Sequence, residues 1–173
     1  AIEAKVNIPA KDTVLAIANA DLDLCENDTI KLSGTVSGKN ISSYGWYELP
    51  SKNLFTTKLD TAFQLSAGIY EYMLVANSAL CNDTDRVLVK VRPSPSIDAI
   101  GPMNIYEDET KQVSLSGKDN SYIYSWTPGE GLSDSTIAEP IVSIRKTTTY
   151  QVEAVNADGC SDSDSLRVNY YPE

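Results

Sequence analysis

Histidine is absent from all 173 residues, which removes the commonest general base and the commonest transition-metal ligand. Cationic side chains are scarce too. Fourteen Lys and Arg stand against 24 Asp and Glu, for a formal charge of −10, and only Arg145 and Lys146 are adjacent. A nucleic-acid partner needs clustered cations to displace counterions, so that class is excluded. No apolar run approaches the ~20 residues of a helical membrane span. The chain has no initiating Met and no basic-then-apolar leader, and is read as a mature piece of something longer. No segment sustains a helical period, which leaves short strands of period two. The apolar share of 42% is that of a globular protein, and the length accommodates two domains of about 80 residues.

What is present is an order of segments that occurs twice. From Tyr122 to Pro172 the chain offers a strand centred on Trp126, a strand led by Tyr150, an Asn156-Ala-Asp-Gly159 turn and a closing alternating strand. Tyr44-Gly-Trp46, Tyr70 to Asn77, Cys81-Asn-Asp-Thr-Asp85 and Val87 to Val91 repeat it before Pro93. Alternating Leu22 and Leu24, Ile30 and Leu32, Met103 and Ile105, and Val113 and Leu115 supply the earlier strands, broken at Gly, Asn and Asp. A repeat of about 80 residues is too long for a solenoid unit and suits an autonomous sandwich. Residues 1–9 alternate Ile2, Ala4, Val6 and Ile8 before Pro9, and are expected to be the last strand of a preceding module or an arm. Module one then spans 10–92 and module two 93–173. Pro93-Ser-Pro95-Ser marks the boundary and favours a stiff joint.

Trp46 and Trp126 each lie mid-strand with a Tyr two residues before, on the same face. A sugar-stacking role is the functional alternative. A pin between two packed sheets is the reading preferred, giving Trp46, Trp126, Tyr70 and Tyr150 as structural core. Tyr70 and Tyr150 follow their tryptophans at equal spacing and are expected to form tyrosine corners, hydrogen bonds of structure rather than chemistry.

Tyr124-Ser-Trp126-Thr-Pro, Gly131-Leu-Ser-Asp, Thr147-Thr-Thr-Tyr150-Gln-Val and Asn156-Ala-Asp-Gly-Cys160 together resemble the PKD and immunoglobulin-like repeats of Bacteroidota secreted and cell-surface proteins. Those are exported by type IX secretion and associated with gliding, adhesion and surface filaments. Module one keeps Cys25, Trp46 and Cys81 but carries a longer segment after Trp46. The resemblance covers about residues 13–172. It implies an all-β fold of tandem immunoglobulin-like (PKD-type) β-sandwiches at the cell surface or outside the cell, and is unspecific as to function.

In an exported protein cysteines are normally paired, and this chain has three. Cys25 to Cys81 within module one is one pairing, with Cys160 left over. Against it, the two turns belong to opposite ends of a sandwich, ~17–20 Å apart for a strand of five or six residues, where a bridge needs Cα atoms within ~7 Å. In a head-to-tail array Cys25 and Cys160 meet instead, and Cys81 pairs with a module upstream. Without histidine a catalytic thiol is the weakest reading.

Asp83 and Asp85 follow Cys81 as Asp162 and Asp164 follow Cys160. Calcium takes six to eight oxygens from such loops, so these four are weak calcium candidates, no other cofactor being expected. No EF-hand spacing is present, and Asp-x-Asp on a strand more often marks a solvated edge. Gly34-Thr-Val-Ser-Gly38-Lys39 is one residue short between its glycines for a phosphate loop, lacks Ser or Thr after the lysine, and leads into no helix. No Gly-x-Ser-x-Gly elbow occurs, and short-looped sandwiches rarely build the cleft that paired carboxylates need for glycoside hydrolysis. The resemblance implies O-glycosylation at Asp-Ser/Thr followed by a small or apolar residue or Thr. Thr13, Thr29, Thr61, Ser135 and Ser165 satisfy that rule, against about one match expected from composition; good turn residues would look the same.

The function expected is structural and not enzymatic: a shaft or spacer of an extracellular adhesin or surface filament. Its partners would be neighbouring modules, other copies in a filament and an unknown surface ligand. A carbohydrate- or protein-binding accessory module of a secreted hydrolase is the alternative, signalled by a solvent-facing aromatic strip.

Overall fold

The computed structural model describes residues 13–172. The expected strand over 1–9, and Asp12 of the Asp12-Thr13 motif, lie outside them. The chain divides into two compact units, 1–91 and 92–173, and no α-helix occurs among the described residues.

Unit 1 runs β1 (Val14–Ala18), β2 (Leu22–Cys25), β3 (Ile30–Leu32), β4 (Gly34–Gly38), β5 (Ile41–Leu49), β6 (Asn53–Thr56), β7 (Thr61–Phe63), β8 (Gly68–Ser78) and β9 (Asn82–Arg92). One sheet has the order β2-β9-β8-β5-β6. Facing it, β1 pairs with β4 and β3 with β7. Only Ser33 separates β3 from β4, and its N–H donates to Asn19 Oδ1 while its carbonyl accepts the Asn19 N–H, each at 2.9 Å. The interruption thus leaves no backbone group of Ser33 unbonded.

Unit 2 runs β10 (Asp98–Ala99), β11 (Met103–Tyr106), β12 (Lys111–Gln112), β13 (Leu115–Ser116), β14 (Ile123–Thr127), β15 (Ile141–Val142), β16 (Thr148–Val155) and β17 (Ser161–Tyr171). The larger sheet is β11-β17-β16-β14, and β10-β13 and β12-β15 form the other layer. The plan is that of unit 1, strand for strand, except that β6 has no counterpart. At β14 the Trp126 N–H donates instead to Ser135 O of the following loop at 2.8 Å. A two-layer sandwich of this strand order is immunoglobulin-like.

Alternation explains why these segments are strands. Along β16 every second residue, Tyr150, Val152 and Ala154, is buried while Thr149, Gln151 and Glu153 face water, the period-two pattern of a sheet packed on one side. Each unit closes over its own tryptophan. Trp46 is 0% and Trp126 3% exposed, and a buried indole removes ~150–250 Å² from water, ~4–6 kcal/mol at ~25 cal/mol/Å². The indole N–H still finds an acceptor, Leu59 O at 3.1 Å in unit 1 and Ile137 O at 2.9 Å in unit 2.

The tyrosine spacing expected from sequence does not survive pairing. Trp46 lies opposite Leu74 on β8 and Trp126 opposite Val152 on β16. The residue two places before each is Tyr72 and Tyr150, both fully buried. Tyr72, not Tyr70, is therefore the counterpart of Tyr150. The longer unit 1 connection, which contains β6, shifts the count by two, and alternation places another Tyr there. Tyr70 is half-buried and donates to Ser66 O at 2.9 Å, a local corner. Tyr150 donates to Glu130 O at 2.8 Å across the unit.

In both units the early strand of the large sheet runs in the direction of the last. β11 and β17 are parallel, Met103 opposite Val168 and Tyr106 opposite Tyr171. In unit 1 the Leu88 N–H donates to Asp21 Oδ1 at 2.8 Å and Lys90 pairs with Asp23 at 3.7 Å, so β2 and β9 ascend together. The segment before β10 is held within unit 2: Asn156 Nδ2 donates to Pro93 O at 2.8 Å, the Arg92 guanidinium donates to Asp158 O, and Pro95 is buried.

Candidate functional site

The turn after β2 is closed by its own ends. The Asp28 N–H donates to Cys25 O at 3.1 Å, the Cys25 N–H donates to Asp28 Oδ2 at 2.9 Å, and Asn27 takes a positive φ of 74°. After β11 the same turn recurs with Glu109 and Tyr106, Asp108 having φ 54°. Asn and Asp tolerate this left-handed backbone better than most residues. Cys25 and Tyr106 are therefore equivalent positions. The Tyr106 N–H and then Lys111 hold the Glu109 carboxyl below its ordinary range.

Cys81 and Cys160 are equivalent as well, each closing the hairpin before the last strand. Ser78 N–H donates to Cys81 O at 2.8 Å, and Asn156 N–H to Cys160 O at 3.0 Å. Ser78 Oγ and Asn156 Oδ1 each accept two N–H groups of their turn. Gly159 supplies the positive φ of 78° needed by the longer turn. Cys25 and Cys160 are disulfide-bonded, whereas Cys81 is a half-buried thiol with Sγ 3.3 Å from Ser78 Oγ. The Cys25 to Cys81 alternative is corrected on two grounds. Cys160 is bonded, and Cys25 lies at the far end of β9 from Cys81, a strand of 11 residues or ~36 Å.

The recurring carboxylates have a structural task. Asp83 Oδ2 accepts the Ala16 N–H and Asp85 Oδ2 the Ala18 N–H, both at 2.9 Å. In unit 2 Asp162 Oδ2 accepts the Ile97 N–H at 2.9 Å and Asp164 Oδ2 the Ala99 N–H at 2.7 Å. In each unit, alternate carboxylates of the last strand fasten the first strand by its backbone. The Ala99 N–H, then that of Ser165, hold Asp164 below the usual carboxylate range. This replaces the solvated-edge reading of Asp83, Asp85, Asp162 and Asp164 with a structural one. Among the described residues, no three His, Cys, Asp or Glu group as a metal site.

Of the modification candidates, Thr13, Thr29 and Ser165 are exposed, and Thr61 and Ser135 half-buried. A concavity of about 770 Å³ in unit 2 lies between Pro128–Gly131 and Ser143–Thr149. Its cations are engaged, Arg145 with Asp108 at 3.6 Å and Lys146 with Glu130 at 3.7 Å. A smaller depression of about 220 Å³ on the outer face of the β14-β16-β17 sheet is lined by Ser125, Thr127, Gln151, Glu153 and Ser163. At the far end of that face Tyr106 and Tyr171 are 54% and 46% exposed with ring centroids 5.6 Å apart. Sequence reasoning missed this pair because only the parallel β11-β17 pairing brings the two residues together.

These features define an immunoglobulin-like β-sandwich chain with disulfide-bonded cysteines and backbone-fastening aspartates, and no helix of the described residues is long and apolar enough to cross a membrane. No protein-family model matches the chain, and no curated protein matches it. Among solved structures it is similar to extracellular domains 3–5 of Drosophila OTK (12% identity, 93% of this chain and 62% of that one, TM-score 0.49). It is similar to a three-Ig fragment of titin (13%, 94% and 67%, TM-score 0.45). It is also similar to SGBP-B of Bacteroides ovatus in complex with a mixed-linkage heptasaccharide (14%, 93% and 48%, TM-score 0.41). The chain spans under two thirds of the OTK fragment and about half of SGBP-B.

Proposed function

We propose that this chain is a non-catalytic structural segment of an extracellular adhesin or surface filament, its tandem modules acting as a shaft. The observation that carries this reading is the parallel run of β11 with β17, matched by β2 with β9. A chain whose early and final strands ascend together enters a module at one end and leaves it at the other, the connectivity a shaft of modules requires. A last strand of 11 residues corresponds to ~36 Å per module. Pairing of Cys25 with Cys160 would lock successive modules, and its support is that both are disulfide-bonded while β9 separates Cys25 from Cys81. Disulfides belong to oxidising compartments, which supports an extracellular location. Glycans on the exposed Thr13 and Thr29 would shield such a shaft.

Single-molecule stretching from both ends, with and without reductant, tests the lock. Under oxidising conditions residues 26–159 are shielded from force, and reduction releases roughly 440–480 Å of chain at ~3.3–3.6 Å per residue. Equal extension in both conditions, or a peptide map pairing Cys25 with Cys81, would overturn it.

A further inference from the structure

We infer that the outer face of the β11-β17-β16-β14 sheet is a binding platform for an uncharged, extended polysaccharide. The face is built from five cross-strand rows. Ser125, Glu153 and Ser163 form the first, and Thr127, Gln151 and Ser165 the second. Thr149 with Arg167, Asn104 with Asn169, and Tyr106 with Tyr171 complete it. Alternation points these side chains outward, and all but the half-buried Asn169 are exposed. Hydroxyl and amide groups dominate, donors and acceptors together, as a polyhydroxyl ligand requires.

Three further observations favour such a ligand. The first two rows enclose the depression of about 220 Å³, room for part of one sugar ring rather than a globular partner. The last row carries paired tyrosine rings whose apolar faces and polar tips suit the alternating faces of a pyranose, with Lys111 Nζ 5.9 Å from the Tyr106 centroid. Between them the polar groups are already oriented: Arg167 Nε donates to Asn169 Oδ1 and Asn169 Nδ2 to Asn104 Oδ1, both at 3.0 Å. Ser163 to Tyr171 spans eight residues of β17, ~26 Å along the strand, so the ligand is a chain and not a monosaccharide.

Charge points the same way. Within a protein of −10, the five rows carry one Arg and one Glu, which gives a polyanion or a basic protein no net attraction. Apolar surface is confined to the ends, Ile123 at one and the tyrosines at the other, unlike the apolar centre of a protein interface. The corresponding face of unit 1 is different: Arg86 pairs with Glu71 at 2.9 Å and Lys90 with Asp23 at 3.7 Å, and those groups are engaged with one another.

The test is affinity electrophoresis of the whole chain in native gels containing hydroxyethylcellulose, arabinoxylan or galactomannan, with polygalacturonate as the anionic comparison. At least one neutral polymer is expected to retard the chain. Tyr106→Ala with Tyr171→Ala weakens that retardation about tenfold, Gln151→Ala weakens it several-fold, and Lys90→Ala on the unit 1 face leaves it unchanged. Gln151→Ala touches no core residue and keeps the test valid if the tyrosine variants disturb the sheet edge. No retardation by any neutral polymer, retardation by polygalacturonate alone, or indifference to both variants overturns the proposal. So does a glycan on Ser165 in native material, which would cover the second row. None of these outcomes depends on whether Cys25 pairs with Cys160.

Discussion

Unit 1 and unit 2 share every strand of the plan except β6, and nearly every side chain that closes it: a tryptophan bonded to a loop carbonyl, a buried tyrosine two residues before its partner, two aspartates fastening the first strand. They differ at the surface. Unit 1 opens the turn after β2 with a disulfide-bonded cysteine where unit 2 places Tyr106, and the outer sheet face of unit 1 carries two ion pairs beside the exposed Ile69 and Leu88 where unit 2 presents hydroxyls, amides and two tyrosines. The added β6 hairpin lengthens one connection and leaves the core pattern intact. An immunoglobulin-like frame thus holds its interior constant while turns and outward positions change, because only the inward residues of each strand face a packed layer.

The largest break in the likeness comes from the core. Trp46→Ala should destabilise unit 1 by about 3–5 kcal/mol, and Trp126→Ala unit 2 by a similar amount. In denaturant titrations read by the remaining indole, each variant should leave the other unit's transition in place. A joint shift of both transitions would show that the two cores are one cooperative structure.

Next come the aspartates. Asp85→Ala and Asp164→Ala each remove a carboxylate that accepts a backbone N–H, and each should cost about 1.5–2 kcal/mol, the lower part of the range for charge-assisted bonds because both groups are half-exposed. Matching losses by calorimetry would show that the fastening works alike in both units. A loss in one alone would make the resemblance geometric only.

The tyrosines give a sharper contrast. Tyr150→Phe removes the hydroxyl of a fully buried side chain bonded to Glu130 O and should cost about 1–2 kcal/mol. Tyr70→Phe removes a surface bond to Ser66 O and should cost under about 1 kcal/mol. Equal costs would restore the equivalence that the sequence spacing implied. The two fully buried tyrosines are hard to ionise: burial, then Glu48, pushes Tyr72 up to about 12, and burial, then Glu130, raises Tyr150. Both should titrate spectroscopically above the ordinary tyrosine value near 10.

The smallest effect is in acid. Asp164 has a depressed value in the folded chain, so its contribution is complete above the ordinary carboxylate value near 3.8 and is lost as pH falls through the lowered one. Glu139, held down by Lys118 and then by the Leu115 N–H, acts in the same direction. The unit 2 transition should therefore move to lower denaturant concentration as pH falls below about 4, and Asp164→Ala should flatten that slope. An unchanged slope would remove Asp164 from the account.

Much of this frame was legible without coordinates. Val87, Val89 and Val91, or Leu166 and Val168, alternate so regularly that strand and inward face follow together, and the two tryptophans announced two cores. Gly159 and the Asn156 turn were equally plain. The role of Asp83, Asp85, Asp162 and Asp164 was not, because a carboxylate on a strand means solvent, metal or backbone according to what lies opposite, and here that is an amide about 65 residues earlier. The Tyr70 to Tyr150 match failed for a related reason: spacing along the chain counts loop residues, whereas register counts only paired ones.

The sequence by itself determined the class of structure, the number of cores and the inward residues, since period-two alternation and turn chemistry are local and follow from φ, ψ and the pleat. Tertiary structure alone decided which tyrosine is buried, which amides the aspartates hold, and that Tyr106 and Tyr171 stand side by side. Those facts depend on pairing between strands distant in the chain, and the energy that selects a pairing is the closure of the whole sandwich rather than any preference of the residues that meet.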